Sequence, residues 1–398
     1  MPISQDLLKK AATYASTLTA IRRDLHQIPE FALNLPKTQA RILESIQGLG
    51  EITLGKGLTS IGLLIRGGQP GPTVLLRADM DALSVREETG LDFASTNGFM
   101  HACGHDLHMA AGVGAAHLLA THKDKLKGNV LIWFQPGEEG HHGADIMIEE
   151  GFLELSGERP VAAYGLHVFT SMPLGAIASR PGPMMASAGD MHVTFYGSGG
   201  HGSMPWLSKD PITPMVEAIS ALQSMLNKRF DQFDPVIMNV GWIRAGDDAT
   251  TNVIADTASF GATVRTFSEK NTKLLHELAP KLVHSIAEGF GLTAKVEFSR
   301  ATKVLMNDPA AVERVKQVAH ELVGEQGYID MPTPIAGGED FASIVQEVPG
   351  AFVFVGACPP GTDATTAPTN HSAKAMFDDS VLPLCSAILA SLAFRHLG

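Results

Sequence analysis

Thr73-Val-Leu-Leu-Arg-Ala-Asp-Met-Asp81 reads as a short apolar strand that ends in two carboxylates. Ile61-Gly-Leu-Leu-Ile65 reads as a strand before it, and Gly67-Gly-Gln-Pro-Gly-Pro72 as the turn between them. Near-continuous apolar runs of this kind belong to a sheet buried on both faces. Asp79 and Asp81 then stand at the C-terminal edge, where ligand groups of open α/β sheets gather. The pattern recurs twice. Asn129-Val-Leu-Ile-Trp-Phe134 runs into Gln135-Pro-Gly-Glu-Glu-Gly-His-His-Gly143, and Ala162-Ala-Tyr-Gly-Leu-His167 ends in a histidine. Between the first two lies His101-Ala-Cys-Gly-His-Asp-Leu-His108, which leads into an apolar helix from Met109 to Leu119. Cys103 and His105 stand two apart and can turn toward one point. Thiolate and imidazole together suit zinc and other borderline divalent metals. The alternative is a buried free cysteine with surface histidines for neighbours. Delivery of such groups from four separate places favours a metal-assisted site.

The chain has 398 residues, enough for two domains. Lys plus Arg number 30 against 42 for Asp plus Glu, a net charge of −12. That balance argues against nucleic acid or an anionic membrane as partner, though a local Arg can still bind a small anion. Three distant cysteines, Cys103, Cys358 and Cys385, fit a reducing, cytoplasmic setting. The first residues lack a signal-peptide pattern. The apolar run Val381 to Phe394 contains Pro383 and two serines and reads as too short to span a bilayer.

Residues 4–27 predict one helix with Ser4 as N-cap, and Leu35 to Leu49 a second. After Pro181-Gly-Pro183 the pattern changes. Met191-His-Val-Thr-Phe-Tyr-Gly197 alternates like a half-exposed strand. A helix (about 211–228), two strands (236–243, 258–266), a helix (269–288) and a strand (293–298) follow. That order, β-α-β-β-α-β, is the ferredoxin-like split motif. The predicted organisation is a catalytic domain in two parts, 1–185 and 301–398, around an inserted lid at 186–300. His371, in Asn370-His-Ser372, returns to the first sheet edge.

These pieces resemble the cocatalytic metallo-aminoacylases and carboxypeptidases, in particular the hippurate hydrolase and indole-acetyl-amino-acid amidohydrolase branch. The resemblance rests on Asp79-Met-Asp-Ala-Leu83, Met100-His-Ala-Cys-Gly-His-Asp106, Gln135-Pro-Gly-Glu-Glu139, Gly165-Leu-His-Val168, Gly199-Gly-His-Gly-Ser203, Asn252-Val-Ile254, Arg265-Thr-Phe267, Gly337-Gly-Glu-Asp-Phe341 and Asn370-His-Ser372. They come in the family's order over nearly the whole chain. The resemblance implies an α/β dimetal-peptidase-like fold, a mixed sheet flanked by helices, with an inserted ferredoxin-like lid. It implies hydrolysis of N-acyl amino acids, two divalent ions (Zn, Mn, Co or Ni) and a homodimer or homotetramer. Cys103, His105, Glu139, His167 and His371 match its metal ligands, Glu138 its general base, and Asp81 a carboxylate that orients a histidine. Much of the wider family has a histidine ligand where this chain has Asp79, which is not counted as one here.

Adjacent glutamates allow a division of labour: one holds metal while the other moves a proton, a contribution of typically ~10²–10⁴-fold. The resemblance assigns these to Glu139 and Glu138. His201, on a glycine-rich loop, matches an oxyanion donor, acting in its own or a partner subunit; the alternative is a surface histidine. Arg265 alternates to the face opposite Phe260, Ala262 and Val264. With Asn252 it is the candidate for the substrate's carboxylate, against a surface salt bridge. Gly338 is a candidate backbone contact, against a plain turn. His108 is expected to pack or to support a ligand. His141 and His142 either line the acyl side or are solvated. The competing readings are a dipeptidase or carboxypeptidase with the same metal site, and a metal-binding protein without catalysis.

Overall fold

The structure is a computed structural model that describes residues 2–398. It divides into two compact units. One comprises Met1–Met184, Met306–Thr333 and Asp340–Gly398, and the other Met185–Leu305 and Pro334–Glu339. The sequence placed the second boundary at 300 and left 334–339 with the larger unit. Those six residues belong instead to the smaller one, where Ala186 N–H donates to Ile335 O and Gly337 O at 3.1 and 3.0 Å.

In the larger unit the predicted helix over 4–27 is two helices, α1 (Ile3–Ala12) and α2 (Ala15–Gln27). The break falls where Thr13 turns its hydroxyl back to Lys10 O at 2.7 Å. Ser4 is not the N-cap. Pro2 holds that position, and the buried Ser4 hydroxyl donates to Glu321 Oε2 at 2.6 Å. Helix α3 (Pro36–Ile46) has proline in its first turn. Glu30 Oε2 accepts from Lys37 and Thr38 N–H at 3.0 and 2.9 Å, satisfying two orphan donors of that helix.

Six strands follow in order: β1 (Glu51–Leu54), β2 (Ile61–Arg66), β3 (Gln69–Asp79), β4 (Lys127–Gln135), β5 (Ala162–Phe169) and β6 (Ile177–Ser179). With Tyr328–Asp330 and Gly350–Gly356 they build an eight-stranded mixed sheet. Its order is β1, β2, β4, β3, β5, Gly350–Gly356, β6, Tyr328–Asp330. The central four, β4, β3, β5 and Gly350–Gly356, are mutually parallel. Their C-terminal ends therefore share one edge. Helix α4 starts at His105, ahead of the predicted Met109, and runs to Thr121. Between Met109 and Ala116 it is apolar on every side because it is buried on every side. The helix Leu382–Leu397 behaves likewise: Asp379–Leu397 is long and apolar enough to cross a membrane by composition, longer than the sequence suggested. It packs instead against α1 and α4 in the core.

The smaller unit holds an antiparallel sheet in the order Val236–Ala245, Thr257–Thr266, Ser187–Tyr196, Thr293–Phe298. Its helices are Ile212–Arg229 and Glu269–Gly289. The strand order is the ferredoxin-like one. Met191, Val193 and Phe195 alternate inward against Leu275, Ala279 and Val283 of the second helix, whose spacing of four puts them on one face.

Candidate metal centre

Cys103 and His105 flank Gly104, whose φ is 84°. A Cβ there would lie 2.5 Å from Val168 Cγ2, so glycine alone fits both the left-handed turn and the close approach to β5. The turn aims both side chains at one point. Cys103 Sγ lies 3.3 Å from His167 Nε2 and 3.2 Å from His371 Nε2. His371 Nε2 lies 3.2 Å from Glu139 Oε1. Two donor groups share the thiol: Cys103, His105 and His167 form one, and Cys103, Glu139 and His371 the other. Within each, the ligand atoms lie within 4.8 Å of one another. His105, Glu138 and Glu139 form a third group of the same kind.

The donors fit a divalent cation. His105 Nε2 is buried and without a hydrogen-bond partner, a costly state for a polar atom that a cation relieves. Sulfur, nitrogen and oxygen donors together suit borderline divalent ions. Hydrogen bonds with Cys103 and then Glu139 raise His371 to about 10. Burial pushes the Cys103 thiol up, and the Glu139 charge adds to it. Burial holds His167 well below its usual value, leaving it neutral, as a ligand must be.

The loop of His371 is pinned in three places. His371 N–H donates to Ala102 O at 2.9 Å. The Asn370 side-chain amide donates to Val168 O at 2.9 Å and Cys103 O at 3.3 Å. Asn370 Oδ1 accepts from Thr170 N–H at 3.2 Å. His371 itself sits at φ 71°, a strained conformation for a residue with a Cβ.

Asp81 supports the centre differently from the expectation. Its backbone carbonyl, not its carboxylate, makes the short contact with His105 Nδ1, 2.8 against 3.7 Å. The carboxylate accepts from Glu138 and Glu139 N–H, at 3.0 Å each, and so grips the turn carrying both glutamates. His108 is excluded as a ligand by its partners. Val168 N–H donates to its Nε2 at 2.9 Å, so the proton resides on Nδ1, which donates to Asp79 Oδ1 at 2.6 Å. Asp79 also pairs with Arg77 at 2.5 Å. Burial opposes its charge, but Arg77 and then the histidines hold its carboxyl well below the usual range.

Sequence reasoning missed the layer beneath these groups. Arg77 is fully buried and donates to Asp340 Oδ1 at 2.8 Å and Gln135 Oε1 at 3.0 Å. Gln135 Nε2 and Ala144 N–H donate to the same Asp340 carboxylate. On the α2 side, Asp106 Oδ2 lies 2.7 Å from Arg22 Nε and 2.8 Å from His26 Nδ1. A signal was present for Arg77, a lone charge in an apolar strand, which must find a partner when buried. For Arg22 and His26 no local pattern existed.

His201, Asn252, Arg265 and Gly338 lie in the smaller unit. Ser203 Oγ lies 2.9 Å from His201 Nδ1, and Ser203 N–H donates to that nitrogen at 3.2 Å. Nδ1 is thus an acceptor, and Nε2 carries the proton. Asn252 O accepts from Gly202 N–H at 2.7 Å, beside the His201–Val253 pair. Arg265 donates to Thr263 Oγ1 and to the carbonyls of Val264, Gly189 and Ala336. Among the described residues it has no carboxylate partner, so it is not a surface salt bridge. A Cβ on Gly338 would lie 2.5 Å from Ala188 Cβ, so packing within this unit accounts for that glycine.

Residues 75–395 match the family described as peptidase family M20/M25/M40. An N-acetyl-L-cysteine deacetylase of Bacillus subtilis is 37% identical over 347 residues, 87% of this chain and 81% of its own. A thermostable carboxypeptidase of Saccharolobus solfataricus is 35% identical, covering 94% of each chain. The crystal structure of a dinuclear metal-binding M20 peptidase from Bacillus subtilis superposes with a TM-score of 0.80 at 30% identity, over 96% of this chain and 98% of that one.

Proposed function

The chain belongs to peptidase family M20/M25/M40, and we propose that within it this hydrolase cleaves the amide bond of N-acyl amino acids. Carboxylate and free amino acid are the products. The observation that carries the reading is Glu138, buried beside the donors Cys103, His105, Glu139, His167 and His371. Those five would hold two divalent cations, of Zn, Mn, Co or Ni type. The chemistry such a pair supplies when bound is acidification of a water and polarisation of the amide carbonyl.

The protein's own groups do the rest. Glu138 takes a proton from the attacking water and passes it to the leaving nitrogen as the C–N bond breaks. Asp81 positions it through the two N–H contacts that hold its turn. His201 Nε2–H donates to the developing oxyanion. Arg265, which has no anionic partner among the described residues, holds the substrate carboxylate together with Asn252. Gly338 is given no substrate contact.

A homodimer or homotetramer fits the smaller unit, whose edge strand Val236–Ala245 leaves Ile237, Trp242 and Ile243 exposed. Three unpaired cysteines suit the cytoplasm.

The test is turnover of N-acetyl, N-benzoyl and indole-acetyl amino acids by the metal-loaded protein. Activity is expected to vanish with chelator and return with manganese, cobalt, nickel or zinc. Glu138→Gln is expected to lower kcat about 10²–10⁴-fold, and full activity in that variant would remove the base assignment. The carboxypeptidase-named relative supports a second reading, cleavage of dipeptides. Preference for free dipeptides over every acyl amino acid would establish that reading instead.

A further inference from the structure

We infer that Phe31, Phe99 and His141 form an aromatic subsite for the acyl half of the substrate. The enzyme then prefers aryl-bearing acyl groups to acetyl, a preference that rests on the amide-hydrolase reading above. The three rings come from three segments and meet in one place. Phe31 and Phe99 are nearly parallel, with centroids 5.9 Å apart and planes 9° apart. His141 stands edge-on to Phe31 at 5.0 Å and 89°. These are the offset and edge-to-face arrangements aromatic rings favour. Phe31 is nevertheless 41% exposed, and the other two are only half-buried. The cluster therefore keeps ring surface open to a further ring.

Each ring is tied to a residue of the metal centre. Phe31 bridges to Ala82, the neighbour of Asp81, where Ala82 N–H donates to Glu30 O at 2.8 Å. His141 follows Glu139 by two residues in the same turn. Phe99 precedes Met100, which exchanges hydrogen bonds of 3.0 Å with Leu83, two residues past Asp81.

The segment carrying Phe31 is also fixed in place. Asn97 Nδ2 donates to Pro29 O at 2.8 Å, joining the Phe31 and Phe99 segments. Leu33 fills the space beside Gly137, where a Cβ would lie 2.4 Å from Leu33 Cδ2. Ala32 sits at φ 67° and His142 at φ 55°, so the chain next to two of the rings is held in a strained conformation. A rigid, preformed set of rings binds a planar group at low entropic cost. A methyl group can cover little of it.

The experiment compares kcat/KM for N-benzoyl-alanine and N-acetyl-alanine in metal-loaded wild type, Phe31→Ala, Phe31→Tyr and His141→Gly. Wild type is expected to favour the benzoyl substrate. Phe31→Ala and His141→Gly are expected to cut the benzoyl-to-acetyl ratio about tenfold, and Phe31→Tyr to retain it. Benzoate should inhibit wild type more strongly than it inhibits Phe31→Ala. A ratio unchanged in Phe31→Ala and His141→Gly, with acetyl turnover intact, would overturn the subsite and leave the amide-hydrolase reading standing. No turnover of either substrate by wild type would overturn both.

Discussion

Replacing Arg77 by methionine tests the buried layer under the metal centre. Met keeps the bulk and removes the charge. In the wild type the guanidinium faces Asp79 at 2.5 Å and Asp340 at 2.8 Å, all three side chains being buried. Without it, two carboxylates share a dry site with no cation between them. Breaking a buried pair in this way costs about 3–5 kcal/mol. At a slope of about 2–3 kcal/mol/M this lowers the urea midpoint by about 1–2.5 M at pH 7.

The pH dependence has a definite sign. In the wild type Asp79 lies well below its usual 3.8, so its stabilisation is present above that pH and is lost only as pH falls further. Burial already raises Asp340 against the pull of Arg77. In Arg77→Met the Asp340 carboxyl rises further above its unfolded value, and Asp79 loses the strongest of the charges that hold it down. A raised carboxyl contributes stability at low pH and loses it as pH climbs through its folded value. The deficit should therefore narrow from pH 7 to pH 5, by up to about 1.4 kcal/mol per pH unit for each carboxyl protonated only when folded. Urea unfolding of the chelated proteins at both pH values, followed by circular dichroism, measures this. Adding Asp340→Asn to the variant should recover part of the loss. A cost below about 1 kcal/mol, or a deficit equal at pH 5 and pH 7, would refute the reasoning.

Cys103 belongs to two donor groups and His167 to one. Cys103→Ala should therefore lose more bound metal than His167→Ala when both are dialysed and measured by elemental analysis; equal losses would count against a shared thiol. Arg265→Ala should raise KM about 10–100-fold, the effect of losing a charged hydrogen bond, with kcat changed far less. Steady-state kinetics on an N-acyl amino acid decides this, and an unchanged KM would exclude the carboxylate role.

Much of the centre was legible because its groups are announced locally. Strand, then Gly-rich turn, then carboxylate is a pattern of neighbours, and so is Cys-Gly-His. Gly104 shows why that spacing works: only a residue without a Cβ tolerates both its φ and the approach of Val168. The helix over 4–27 was misjudged for the opposite reason. Its apolar spacing continues through Thr13 and Tyr14, and the partner that takes Ser4 out of the capping role, Glu321, lies 317 positions away. The tautomer of His108 was invisible too, being set by Val168 N–H and Asp79 together.

The sequence by itself determined most of the elements, the two-sided burial of the central strands and the gathering of carboxylate, thiol and imidazole groups in the loops that follow them. These depend on hydrophobic period, turn residues and donor chemistry, all properties of short stretches. Only the tertiary structure decided which atoms act. Asp81 serves His105 through its carbonyl, Arg77 neutralises two carboxylates from different segments, and residues 334–339 join the smaller unit. Those outcomes arise from burial, which obliges each polar atom to find whatever partner the fold brings within about 3 Å, however distant along the chain.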